Sequence, residues 1–122
     1  MIAYLKGTVF AKTEKSMILL VNNIGWLVNI LGTSKFDLEL ELSLYIYTHI
    51  RENEISLWGF QTQEEYGIFK ILIGVSGVGP KTAQNLIFEK GVVEIKKSIT
   101  NSSAENLKVS GLGLKTAQKI IL

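Results

Sequence analysis

"VSGVGPKT" occupies residues 75–82, and thirty-four positions later the chain reads "VSGLGLKT", residues 109–116. Aligned from Val75/Val109 to Ile87/Ile121, nine of thirteen positions are identical, among them Gly77/Gly111, Gly79/Gly113, Lys81/Lys115, Thr82/Thr116 and Ala83/Ala117. Each copy reads as a helix, then glycine–hydrophobic–glycine, then a second helix. The glycines permit a sharp turn and bare backbone N–H groups, which together with the following helix N-terminus form an anion site. Lys81 and Lys115, one turn into their helices, add positive charge, and Ala83 and Ala117 are small enough for two crossing helices to approach closely.

A phosphate-wrapping loop of a nucleotide hydrolase is the competing reading, and it fails on spacing and on context. That loop needs G-x-x-x-x-G-K-[ST] after a buried strand. Gly74 to Gly79 has the right first spacing, but Pro80 intrudes before Lys81 and Thr82, and Lys108 stands where the second copy needs its first glycine. Each loop also follows a helical pattern. The duplicated unit is the helix-hairpin-helix pattern, a binder of nucleic-acid backbone, and two in tandem can hold both strands of a duplex.

Working outward, the neighbouring segments are helical as well. Thr62 stands three residues before Glu65, the capping-box spacing, and Phe69, Leu72 and Ile73 recur at helical spacing, which predicts a helix over about 63–74. Pro80 opens the next helix, Ala83, Leu86 and Ile87 form its inner face, and Gly91 suits its stop. "VVEIKKSI" gives a further short helix, and Ser102 with Glu105 caps the one that leads into the second copy.

The first sixty residues have a different period. "IAYLKGTVFAK" (2–12), "SMILLVN" (16–22), "IGWLVNIL" (24–31), "LSLYIYTHI" (42–50) and "ISLWGF" (55–60) are rich in aliphatic and aromatic residues and bounded by turn formers, so they read as strands. In the fourth, Leu44, Ile46, Thr48 and Ile50 alternate with Tyr45, Tyr47 and His49. "TSKFDLELE" (33–41) is read as a loop into that strand, with Asp37, Glu39 and Glu41 on the solvated side of an extended segment rather than at a metal site. Five short strands predict a small closed or partly open barrel, because closure removes sticky edges. The fold class expected is α+β, a five-stranded barrel over 1–62 followed by an all-α tandem hairpin domain over 63–122.

Composition excludes several functions. With 47% hydrophobic and 20% charged residues the chain is a packed globular protein, and with no cysteine it holds neither disulfides nor thiolate chemistry. No apolar run approaches the roughly 18 residues needed to span a bilayer, so no membrane association and a cytoplasmic location are expected. His49 is the single histidine, which rules out a multi-histidine metal site and fits a structural residue on a strand face. Trp26 and Trp58 read as core or subunit-contact residues. Residues 1–62 carry five Lys/Arg against six acids, a balance of 5 − 6 = −1, whereas residues 63–122 carry 8 − 5 = +3. The helical half is therefore the better candidate for meeting a polyanion.

Over nearly its whole length the sequence resembles the RuvA family, the subunit that recognises four-way (Holliday) junctions for branch migration in DNA recombination and repair. The resemblance rests on "MIAYLKG" (1–7), "IGWLV" (24–28), "THIREN" (48–53), "LWGF" (57–60) and the two hairpins. It implies an N-terminal OB-fold barrel that assembles into a four-fold homotetramer. The hairpins, through Gly77, Val78, Gly79, Lys81 and Thr82 and through Gly111, Leu112, Gly113, Lys115 and Thr116, would grip the minor-groove backbone of each arm. An acidic pin at the junction centre falls on Glu52, Asn53 and Glu54, where Asn53 replaces one of the family's two acids and Glu54 is positioned to substitute. No catalytic residue, metal or cofactor is expected, and the sequence leaves open a monovalent cation in the hairpin loops. The family continues through a linker to a helical domain that binds the RuvB-type ATPase motor, so a chain reaching Leu122 is expected to bind junctions without recruiting the motor. The alternative is a DNA-binding fragment of a helix-hairpin-helix nuclease or glycosylase.

Overall fold

The structure, a computed structural model, describes residues 1–100. The chain divides into two compact units, the first ending at Tyr66 and the second beginning at Gly67.

The first unit is a closed barrel of β1 (Tyr4–Lys12), β2 (Ser16–Val21), β3 (Ile24–Asn29), β4 (Glu41–Ile50) and β5 (Ile55–Phe60), in the order β1-β2-β3-β5-β4. All pairings are antiparallel except β3 with β5, which closes the barrel through two parallel partners, Val28 with Leu57 and Asn29 with Trp58. Asn29 Nδ2 donates to Leu57 O at 3.1 Å and reinforces that closure. Beside it, a Cβ on Gly59 would lie 2.6 Å from Val28 Cγ1, so only glycine lets β5 pass the filled interior. Asn22 and Asn23 both take positive φ, 48° and 68°, which is how a two-residue connection turns β2 into β3 with a matching twist.

The alternation in β4 sorts as the sequence predicts: Leu44, Ile46 and Thr48 point inward, while Tyr45, Tyr47 and His49 are half-buried on the outer face. Ile50, at the strand's end, is exposed. Val9, Met17, Leu19, Val28, Leu44 and Ile46 fill the barrel at 0–1% exposure, each contributing about 1.5–3 kcal/mol by leaving water. Thr48 is the polar member of that face, and its hydroxyl donates to Ile2 O at 2.6 Å and accepts from Ile2 N at 3.1 Å.

Residues 33–41 differ from the extended segment expected. A 3-10 turn at Thr33–Lys35 buries Phe36, and Glu39 takes φ 70°. Glu39 N donates to Val9 O and Val9 N to Leu40 O, clipping a turn onto β1 and leaving Leu38 and Leu40 exposed. Lys12 holds the base of this segment, its Nζ donating to Thr33 O at 3.2 Å and Phe36 O at 2.7 Å. The alternation of acids with leucines there is thus a property of a turn.

Helix α1 (Gln63–Ile73) starts where the capping pair predicts: Glu65 N donates to Thr62 Oγ1 at 3.2 Å and that hydroxyl donates to Glu65 Oε1 at 3.1 Å. Helix α2 (Pro80–Thr100) is two helices joined at Gly91, whose φ of 79° is non-helical. Among the described residues of the second unit the buried core includes Ile68, Phe69, Leu72, Val78, Ala83, Leu86, Ile87 and Ile95. The Ser102 cap and the whole second hairpin, with Gly111, Leu112, Gly113, Lys115 and Thr116, lie outside the described residues.

Candidate nucleic-acid interface

The first hairpin is built around one buried side chain and several unengaged amides. The end of α1 tightens through Gly74 N to Ile71 O and Val75 N to Leu72 O, and a turn then closes through Val78 N to Val75 O at 3.0 Å. Gly77 sits at the third position of that turn with φ 91°, a backbone that an L side chain adopts only with strain. Val78 is 6% exposed and anchors the loop to the helices. Pro80 sits at the first position of α2, where it forfeits no hydrogen bond, and Ala83 N returns to Gly79 O at 3.0 Å.

The amides of Gly77, Gly79, Lys81 and Thr82 find no acceptor among the described residues. They lie at the start of a helix, where free N–H groups and the aligned peptide dipoles favour an anion. Gly79 has open space where a Cβ would stand and no positive φ, so neither packing nor conformation within the described chain asks for glycine there. Its lack of a side chain leaves the amide approachable. Lys81 is exposed and Thr82 half-buried beside them, and no acid occupies the first turn of α2. Val78 has a different part from the one first assigned: its amide is taken by Val75, so it shapes the loop rather than offering a donor.

The second expected feature is the β4–β5 tip. Ile50 and Ile55 form the last pair, and Arg51 N donates to Glu54 O at 2.8 Å, closing a four-residue loop. Glu52, Asn53 and Glu54 are all exposed there, around an open hollow of about 330 Å³ that Arg51 completes. Glu52 and Glu54 make no ion pair among the described residues. No group of three or more His, Asp or Glu among the described residues is placed to hold a metal ion, and no described helix is long and apolar enough to cross a membrane.

Comparison of the sequence with known families finds a match for each half of the chain. Residues 1–59 match the RuvA N terminal domain, and residues 69–122 match the SAM-like Helix-hairpin-helix tandem. Among curated relatives, the "Holliday junction branch migration complex subunit RuvA" of Citrifermentans bemidjiense is 40% identical over the whole of this chain. Proteins of the same name from Solibacter usitatus and Syntrophotalea carbinolica are 39% and 35% identical, again over all of it. Along its whole length the chain is similar to RuvA proteins. It spans 63–64% of the length of these relatives. The hairpin was legible from its glycines and lysine. Arg51 was not singled out, and its only sequence signal was its place in "THIREN", immediately before the tip acids.

Proposed function

We propose that this chain is a non-catalytic, cytoplasmic DNA-binding subunit that binds four-way junction DNA by its phosphates and holds it open for the branch migration that a RuvB-type ATPase motor drives. The observation that carries the reading is the first hairpin, where four amides without acceptors among the described residues stand at a helix start with Lys81 beside them. Such donors fix position on the backbone and carry no base readout, so the chain reads shape rather than sequence. The sequence match to a tandem hairpin over 69–122 supports a second grip of the same kind through Gly111, Gly113 and Lys115.

Shape recognition follows from repetition and from the tip. Four copies around a square place one hairpin domain on each arm, and simultaneous engagement raises affinity by roughly a hundredfold or more without any new contact. The tip carboxylates of Glu52 and Glu54, exposed and without an ion pair among the described residues, repel phosphates at the centre and favour separated strands over a continuous duplex. Asn53 contributes no charge, so Glu54 acts as the second acid.

The test is a mobility-shift competition between a labelled four-way junction and linear duplex of equal length at physiological salt, with the native mass of the free protein measured in parallel. Preference for the junction by a tetramer is expected. Equal binding of both DNAs by a monomer would overturn the junction reading and leave a general backbone binder.

A further inference from the structure

The ladder of β3 with β5 is two residues long, Val28 with Leu57 and Asn29 with Trp58. Before it the two strands run without pairing each other, residues 24–27 on one side and 55–56 on the other, and beside them lies a hollow of about 560 Å³ open to solvent. That size falls within the roughly 300–1,000 Å³ range of small-molecule sites. Its walls include Trp26 and Trp58, the chain's two tryptophans, and also Leu27 and Ile55, which are 62% and 70% exposed.

Both indoles are held in place and neither is fully buried. Trp26 packs against the barrel core, and Trp58 is tied by its Nε1, which donates to Ser56 Oγ at 3.0 Å. Asn29 also lines the hollow; its Nδ2 is spent on Leu57 O, which leaves Oδ1 as an acceptor. Glu54 completes the wall and brings a carboxylate, which disfavours a phosphate there. Fixed aromatic walls with acceptors among them suit a flat, uncharged ring system with a polar rim. A nucleobase has that chemistry, and base–aromatic stacking is tolerant of sequence because every base has a π-face.

We propose that this hollow is a base-binding site, which takes one unpaired nucleobase of a parted strand and stacks it on Trp26 or Trp58. The assignment rests on the junction reading, because Glu54 is at once a wall of the hollow and an acid of the tip where the strands separate. A paired base cannot enter, so continuous duplex gains nothing from the site. The tip acids then turn backbone away from the centre, while the indoles hold a base that has left its partner.

Both tryptophans line the hollow and residues 63–122 carry none, so the emission of the wild-type protein reports on this site. A saturating four-way junction should quench that emission, whereas linear duplex, gripped by the hairpins, should leave it unchanged. A junction with iodouracil at the crossover should cross-link on irradiation to Trp26 or Trp58, and the same base deep in an arm should not. Trp26→Leu and Trp58→Leu made together should weaken junction binding about fivefold or more, with duplex affinity and native mass as in the wild type. Should that variant not fold, the two wild-type readouts decide. A bound junction that leaves the emission unchanged overturns the site, as does a crossover cross-link that falls outside the hollow. A folded variant of lower native mass overturns it too, marking the hollow as a contact between copies of the chain. If the wild type shows no preference for junction over duplex, the junction reading fails and takes this assignment with it; a preference kept with unquenched tryptophans removes the base site alone.

Discussion

In the barrel the chain turns its polar groups on itself, whereas the loop at residues 74–79 leaves them open. Lys12 donates to Thr33 O and Phe36 O, Lys6 pairs with Glu41, and the amides of Val9 and Glu39 clip a turn onto β1. The hairpin does the reverse. Four amides at the start of α2 lack acceptors among the described residues, beside a glycine whose missing side chain leaves open space. Donors left unpaired at a surface cost little while water covers them, so such a loop is stable alone and ready for an anion. The comparison separates a region that builds the molecule from a region that meets a ligand.

The largest effect should come from breaking the barrel. Leu44 is 0% exposed in its centre, and Leu44→Ala should cost about 2–5 kcal/mol through lost burial and a residual cavity. Trp26 and Trp58 both lie in the barrel, so denaturant unfolding followed by tryptophan fluorescence reports this loss directly. A midpoint that hardly moves would mean that the interior is looser than its burial indicates.

Gly77→Ala attacks the other region. At φ 91° an alanine costs about 1–2 kcal/mol of backbone strain, which the loop can relieve only by abandoning its turn. DNA affinity should fall for junction and duplex alike, with the tryptophan signal of a folded barrel retained. Gly79→Ala sharpens the contrast, because its Cβ meets open space and its φ is ordinary. Stability should hold while DNA binding weakens, and equal stability losses for the two glycines would contradict their separate roles.

How far these regions were legible in the sequence follows from the range of the interactions involved. Helix caps, strand alternation and the glycine turn depend on residues a few positions apart, and Thr62 with Glu65, Leu44 with Ile46, and Gly77 all lie where their spacing places them. The segment at 33–41 is the loop expected, but its turned rather than extended form depends on Lys12 and Val9, more than twenty residues away, which no local period reports. The same holds within the site. The glycines and Lys81 announced an anion loop, but which amides remain free depends on the turn from Val75 to Val78. The Arg51 contact with His49 joins the tip loop to the end of β4, and no spacing in the sequence tells it from a pairing of Arg51 with the neighbouring acids.

The smallest expected effect is the most discriminating between the two kinds of cation. Lys81 and Lys6 are both exposed lysines, and composition alone gives them equal weight. Lys6 is 3.3 Å from Glu41 with both side chains largely in water, so Lys6→Ala should change stability by less than about 1 kcal/mol and leave DNA binding as it was. Lys81→Ala should likewise be silent in stability, but it should lower the salt slope of DNA binding by about one contact per engaged hairpin, uniformly across sequences. Measured side by side on the same duplex, the two variants ask whether location or mere charge determines contact with the polyanion. If Lys6→Ala lowered the slope as much as Lys81→Ala, the distinction between a self-satisfied barrel and an open hairpin would collapse into general electrostatic attraction.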